Sequence, residues 1–289
     1  VGHGLQQQMS FLTDAEQVAL PLLLSMDKEQ CVEGDSKDSF MNLMVDLYNN
    51  MGIAEKKHGS LERARDLFNK ALVINPNDGH ALVQLASVDD GTDADGVVSN
   101  VKELDPDYVS GLFDGYSSRF ESSLVGDLQY KGHLLLSGAL KRALKKLGKS
   151  PLSIKKIVEL GCGTGLLGEI IANEMPWVEV AGVDLSQRMI EVSRSKESRK
   201  GRKVYASLSH DDAASYLATI ENQSIDCILA SDVFIYIGDI SKVLEESFKC
   251  LSTDGLIGFT VESYQGSNAN SDGLRLLPAG RFGHSKSYI

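Results

Sequence analysis

Residues 157–168 read Ile-Val-Glu-Leu-Gly-Cys-Gly-Thr-Gly-Leu-Leu-Gly, and the rest of the chain is best read outward from them. A short apolar run ends at Leu160, glycines follow at 161, 163 and 165, and a helical pattern starts at Leu166. Glycines in such a turn adopt dihedrals closed to other residues and let a ligand lie directly on the backbone, facing the positive end of the next helix. The pattern repeats downstream. Apolar runs IKKIVEL, VEVAGVDL, KVYASL, IDCILASDV and LIGFTVE alternate with amphipathic stretches starting at Leu166 and Ser186 and covering 212–220 and 240–251. Strands alternating with helices predict right-handed βαβ units on a parallel sheet, so the expected fold class is α/β, a Rossmann-like sheet. Two helices are predicted ahead of it, across residues 111–148.

Two cofactor classes use a glycine turn of this kind. Gly163-Thr-Gly165-Leu-Leu-Gly168 fits the GxGxxG expression of dinucleotide-binding domains. There, however, the first glycine directly follows the strand, whereas Gly161 and Cys162 intervene here. With Glu159 included, ELGCGTG resembles the E/DxGxGxG signature of class I S-adenosylmethionine-dependent methyltransferases. That resemblance implies S-adenosylmethionine as cofactor. It puts Glu159, Gly161, Cys162, Gly163 and Gly165 near the methionine end, and Asp184 with Leu185, closing the second strand in GVDLS, at the ribose hydroxyls. It sets Asp212, after the third strand, at the adenine amino group. Asp184 as a turn residue and Asp212 as a helix cap are the alternatives. Tyr116 and Tyr130, in the preceding helices, are expected to cover the methionine moiety, or else to pack against the sheet.

Upstream, residues 45–78 place Tyr48, Met51, Gly52, Gly59, Ala64, Phe68, Ala71 and Pro76 at the spacing of a 34-residue tetratricopeptide repeat, with Ser60 as the expected cap of its second helix. A degenerate copy is expected over 80–107, closing at Asp105-Pro106. The order of segments is similar to that of a family of predicted methyltransferases with tetratricopeptide repeats. Its distinctive pieces are LFDGYSSRFESSLVGDLQYKG (112–132), GVDLSQRMIEVSR (182–194), ILASDVFIYIGD (228–239) and LLPAGRFGHSKSYI (276–289). Lys131 departs from it, standing where that family carries arginine. The organisation expected is a helical region over 1–110 and a methyltransferase domain over 111–289, truncated at its carboxyl end because only a glycine- and serine-rich stretch, LRLLP and the start of a helix at SKSYI follow Glu262. The fifth strand would then be an apolar sheet edge.

Charge is unevenly spread. Of the net −11, all falls in residues 1–110, which hold 19 acids against 8 bases, while the remainder holds 21 of each. A nucleic-acid partner is not expected from that balance, and an acidic helical region suits a protein contact instead. The four cysteines lack metal-ligand or disulfide-framework spacing, so no metal is expected. Without an apolar run of membrane-spanning length, the chain is expected to be soluble and intracellular, in the cytoplasm, with any targeting segment upstream of Val1 missing.

Methyl transfer from a sulfonium is an in-line displacement in which the protein aligns donor and acceptor and excludes water. The best candidates for handling the acceptor are Asp232, after the fourth strand, and His284, near the end of the chain. The acceptor itself is undetermined, a small molecule or a protein. The loop at 231–236 is not the N/D-P-P-Y/F type used on amide and adenine nitrogens. A scaffold with a vestigial cofactor fold and a NAD-dependent oxidoreductase are the competing functions.

Overall fold

A computed structural model describes residues 34–76, 78–88, 103–116, 131–263, 273–277 and 280–289. The chain divides into two compact units, residues 1–100 with 278–280, and residues 101–277 with 281–289.

In the first unit, α1 (Gly34–Lys57), α2 (Leu61–Ile74) and α3 (Gly79–Val88) follow one another. Gly59, at φ +83°, reverses the chain between α1 and α2. The two helices approach closely because Gly52 lacks a side chain, and a Cβ there would lie 2.4 Å from Phe68 Cε1. Met44, Tyr48, Met51, Ala64, Phe68 and Ala71 fill their interface. Ser60 stands at the N-cap of α2 but its hydroxyl makes no capping bond, since its ψ of 66° departs from the extended backbone that aims a capping side chain. Asp78 caps instead at α3, accepting from Ala81 N at 2.7 Å and from Asn49 Nδ2 of α1 at 2.8 Å. Helix α3 covers the ALVQLASV part of the expected second copy, and 89–102 lie outside the described residues.

In the second unit Asp105-Pro106 opens a helix where the closing of one is expected. The Asp105 carboxylate accepts from Asp107 N at 2.8 Å and Pro106, whose missing N–H costs nothing at a first helical position, begins α4 (Pro106–Tyr116). Helix α5 (Gly132–Lys146) then leads into β1 (Lys156–Leu160), α6 (Leu166–Glu174), β2 (Glu179–Asp184), α7 (Gln187–Ser195), β3 (Ser207–His210), α8 (Ala213–Ala218), β4 (Ile225–Ala230), α9 (Ser241–Cys250) and β5 (Leu251–Phe259). The strands form one parallel sheet in the order β3-β2-β1-β4-β5. Their direction of progression reverses at β1, the kind of crevice where open α/β sheets bind ligands.

Side-chain alternation explains the covering helices. Ile157, Val180, Cys227 and Leu229 face one layer with Leu136, Leu140 and Ile171, while Val158, Leu160, Val183 and Ile228 face the other with Leu217, Phe234 and Val243. Both faces of each central strand are apolar, so helices must cover both.

The third strand is displaced from the expected KVYASL to Ser207–His210, because Tyr205 turns inward and is buried rather than alternating along a strand. Beyond β5, residues 264–272 of the glycine- and serine-rich stretch lie outside the described residues, and short strands stand on either side of them and near the end of the chain. Strands β6 (Glu262–Ser263), β7 (Leu274–Leu277) and β8 (Arg281–His284) form a second sheet, β6-β8-β7, with β7 and β8 antiparallel. Residues 286–288 form a turn rather than a helix, pinned by Tyr288, whose hydroxyl donates to Asp239 Oδ1 at 3.0 Å and accepts from Ile240 N at 3.1 Å. Among the described strands, β5 pairs with β4 alone in its sheet. No helix among the described residues is long and apolar enough to cross a membrane, and no group of acids, histidines and cysteines among them could hold a metal ion.

Candidate functional site

The glycine turn leaves β1 at Leu160 with Gly161 at φ +58° and Gly163 at φ +53°. Gly161 lies against the loop after β4, and a Cβ there would come within 2.4 Å of Val233 Cγ2. The turn is tied to β2 by the Cys162 N–H, which donates to Val183 O at 2.9 Å. Gly165, left-handed at φ +89°, starts α6.

Asp184 ends β2 directly opposite. Its Oδ2 accepts from Gly163 N and its Oδ1 from Ser186 N, both at 2.8 Å. Burial pushes this carboxyl above its usual range, and the two N–H groups pull part of the way back. A carboxylate has about four lone-pair sites, so two acceptor positions remain for hydroxyls of a ligand. Gly161, Gly163, Asp184, Leu185, Asp212 and Asp232 line a cavity of about 240 Å³.

Helix α4 lines the cavity with Val109 and Phe113, and Phe113 meets Tyr236 edge-on at 5.2 Å between ring centres. The helix is fastened to the end of β2 and the start of α7. Ser110 Oγ donates to Leu185 O at 3.0 Å, and the Ser186 hydroxyl, the N-cap of α7, donates to Asp114 Oδ1 at 2.5 Å. Arg188 Nη1 donates to Asp114 O at 3.2 Å. Nothing in the sequence singles out Phe113, whose partner Tyr236 lies far along the chain, or Asp114, which lies 72 and 74 residues from Ser186 and Arg188. Tyr116 is the last residue of α4, and its side chain, like Tyr130, lies outside the described residues.

Three residues expected at the cofactor do not line the cavity: Glu159, Cys162 and Gly165. Glu159 projects to the other side of the turn, where Oε2 accepts from the Tyr205 hydroxyl at 2.8 Å. Burial there raises its pKa from 4.5 to about 8, with Asp184 adding to the rise and the bonds from Tyr205 and Gly168 opposing it. Glu159 is therefore a protonated acid at neutral pH, bracing the turn from below. Tyr205, which the sequence does not flag, also fills the space left by Gly168 and Gly182. The Cys162 thiol is buried and its pKa lies well above normal, mainly for lack of solvent, so it is a packing group.

Asp212 serves the capping alternative, accepting from Ser215 N at 2.9 Å as the N-cap of α8, and it lines the cavity as well. Its neighbour Asp211 does too, and its backbone N–H donates to Asp184 O at 3.1 Å. Asp232 sits on the cavity wall at φ +56°, locked by Thr260, whose hydroxyl oxygen accepts from Asp232 N at 2.7 Å and donates to Oδ1 at 2.6 Å. His284 is a correction. It does not line the cavity, is buried, and its Nε2 lies 3.1 and 2.9 Å from Ile237 O and Gly238 O, so the ring nitrogen carries its proton towards carbonyls and ties β8 to the loop after β4.

Residues 158–257, about a third of the chain, match the family model described as a methyltransferase domain. Over 109 residues the chain is 29% identical to the malonyl-[acyl-carrier protein] O-methyltransferase of Bacillus anthracis, covering 36% of each protein. It is 26% identical over 145 residues to the ubiquinone biosynthesis O-methyltransferase of Thiobacillus denitrificans, covering 48% of this chain and 60% of that one. The chain thus spans from about a third to three fifths of the length of these curated relatives. Among solved structures it is similar to an S-adenosylmethionine-dependent methyltransferase from Archaeoglobus fulgidus, with 19% identity, a TM-score of 0.36 and coverage of 49% of this chain and 56% of that one.

Proposed function

We propose that this chain is an S-adenosylmethionine-dependent methyltransferase whose cofactor lies in the cavity between the glycine turn, Asp184 and α4. One observation carries the reading: a buried carboxylate, already oriented by the Gly163 and Ser186 N–H groups, faces a glycine turn in which a side chain at Gly161 would have no room. Asp184 would accept from the ribose hydroxyls, Asp211 or Asp212 from the adenine amino group, and Gly161 and Gly163 would let the methionine end lie on the backbone. The cavity's charge agrees, since Asp184, Asp211, Asp212 and Asp232 outnumber Arg281 in its lining and favour a sulfonium cation. When bound, the cofactor supplies an activated methyl group on sulfonium sulfur. The protein's part is alignment and the exclusion of water, for which α4, fastened through Ser110 and Asp114, provides the cover. Both curated relatives are named as O-methyltransferases, and we read the acceptor atom here as oxygen, on a small molecule or a carrier protein. The helices of the first unit we read as a tetratricopeptide-like module that contacts a protein partner, on the close α1–α2 packing at Gly52.

Calorimetric titration of the full chain tests this. S-adenosylhomocysteine is expected to bind and NAD is not. Asp184→Ala is expected to weaken S-adenosylhomocysteine at least tenfold, about 1.5 kcal/mol or more, the cost of losing charge-assisted bonds to two hydroxyls. Binding of NAD with no response to S-adenosylhomocysteine would overturn the assignment.

A further inference from the structure

The charged residues among the described lining of the cavity are acidic with one exception. Arg281, the first residue of β8, reaches the cavity beside Tyr236. Its position is built rather than incidental. Strand β8 is pinned to the loop after β4 by the buried His284 through Ile237 O and Gly238 O, and it pairs with β7 from Leu274↔His284 to Leu277↔Arg281. The charge of Arg281 is felt by the buried Tyr236, where it opposes the rise that burial imposes on the phenol. Its ion pair with Glu262 is loose, with Nε 3.7 Å from Oε2, and 44% of the Arg281 side chain is exposed. A planar guanidinium whose carboxylate partner engages it only at that distance keeps donors for a second, bidentate anion.

From this placement, and resting on the methyltransferase reading above, we propose that Arg281 selects an acceptor bearing a carboxylate and that the methyl group goes to that carboxylate, giving a methyl ester. The chemistry balances without a base. A carboxylate oxygen lone pair forms the O–CH3 bond, the S–CH3 bond breaks with its electron pair going to sulfur, the sulfonium becomes a neutral thioether, and no proton is released. The site matches that economy: among the described residues lining the cavity there is no histidine or lysine, and the Oδ1 of Asp232 is engaged by Thr260. A guanidinium beside the acceptor also offsets the repulsion that four aspartates would exert on an incoming anion.

The test uses the full chain saturated with S-adenosylhomocysteine, titrated with the dicarboxylates malonate, succinate, glutarate and adipate and with the four matching diamides. At least one dicarboxylate is expected to bind at least tenfold more tightly than its diamide, with an affinity that falls as salt is added. Arg281→Gln should remove that preference, and Arg281→Lys should retain part of it, while S-adenosylhomocysteine affinity stays within twofold in both. With S-adenosylmethionine, the dicarboxylate preferred in the titration should yield a base-labile methyl ester, at a KM raised at least tenfold by Arg281→Gln. Equal binding of every dicarboxylate and its diamide, or a carboxylate preference undiminished in a folded Arg281→Gln protein, would overturn the proposal. A failure of S-adenosylhomocysteine itself to bind would instead overturn the methyltransferase reading on which it rests.

Discussion

Replacing Gly161 by alanine is expected to weaken binding of S-adenosylhomocysteine by about thirtyfold or more while the protein keeps its helical content. Two costs add at this position. The residue sits at φ +58°, where an L side chain costs about 1–2 kcal/mol. A Cβ would also fall 2.4 Å from Val233 Cγ2, and overpacking of that kind costs roughly 1–3 kcal/mol. Relief requires the loop after β4 to move, or the turn to move into the space that the cofactor would use, so the combined ~2–5 kcal/mol is expected to appear mainly in binding. Calorimetry gives the affinity, and circular dichroism with urea unfolding gives the fold and its stability. If Gly161→Ala binds S-adenosylhomocysteine as the unaltered chain does, the cofactor does not lie on this turn.

The second large effect concerns pH. Glu159 holds its proton in the folded state up to about pH 8, whereas in an unfolded chain it releases it near 4.5. Between those values the unfolded state binds fewer protons than the folded one, so stability falls as pH rises through that window. One group titrating in this way costs about 1.4 kcal/mol for each pH unit crossed, and the loss over the window is on the order of 3–5 kcal/mol. Glu159→Gln keeps an acceptor for the Tyr205 hydroxyl and removes the titration. Urea unfolding from pH 5 to pH 8 is expected to show a falling stability for the unaltered protein and a distinctly flatter line for Glu159→Gln, with the variant the more stable of the two at pH 8. Parallel lines would mean that Glu159 is ionised in the folded protein, and the bracing role of a neutral acid would have to be abandoned.

These two residues are neighbours in one motif, and the sequence treats them alike, as contacts of a cofactor. The structure separates them. Gly161 faces the cavity, while Glu159, two residues earlier in the same strand and turn, points towards Tyr205 on the opposite side. Residues two apart in a strand share a face, but β1 ends at Leu160 and the left-handed backbone at Gly161 redirects the chain, so the period of the strand does not carry into the turn. Asp184 illustrates the legible case, because its partners, Ser186 and the glycine turn, are either adjacent in sequence or placed opposite by the pairing of β1 with β2. Asp212 shows why one residue can satisfy two readings, since its carboxylate caps α8 and still borders the cavity. His284 shows the reverse. A histidine near a site in sequence order resembles a base, but its ring nitrogen is spent on two carbonyls 46 and 47 residues away.

From the sequence alone came the features whose causes are local: the α/β alternation, the end of β1 at Leu160, the glycine turn and the acid closing β2. Each follows from dihedral limits, side-chain period or a hydrogen bond spanning a few residues, and such causes are written in consecutive positions. Tertiary structure alone decided the cover of the cavity by α4, the burial and protonation of Glu159, the retirement of His284 to a strand anchor, and the arrival of Arg281 beside Tyr236. Those depend on contacts between segments some 45 to 75 residues apart, which form only because burying apolar faces on both sides of the sheet brings the segments together. No period, motif or spacing encodes which polar groups that collapse will set side by side.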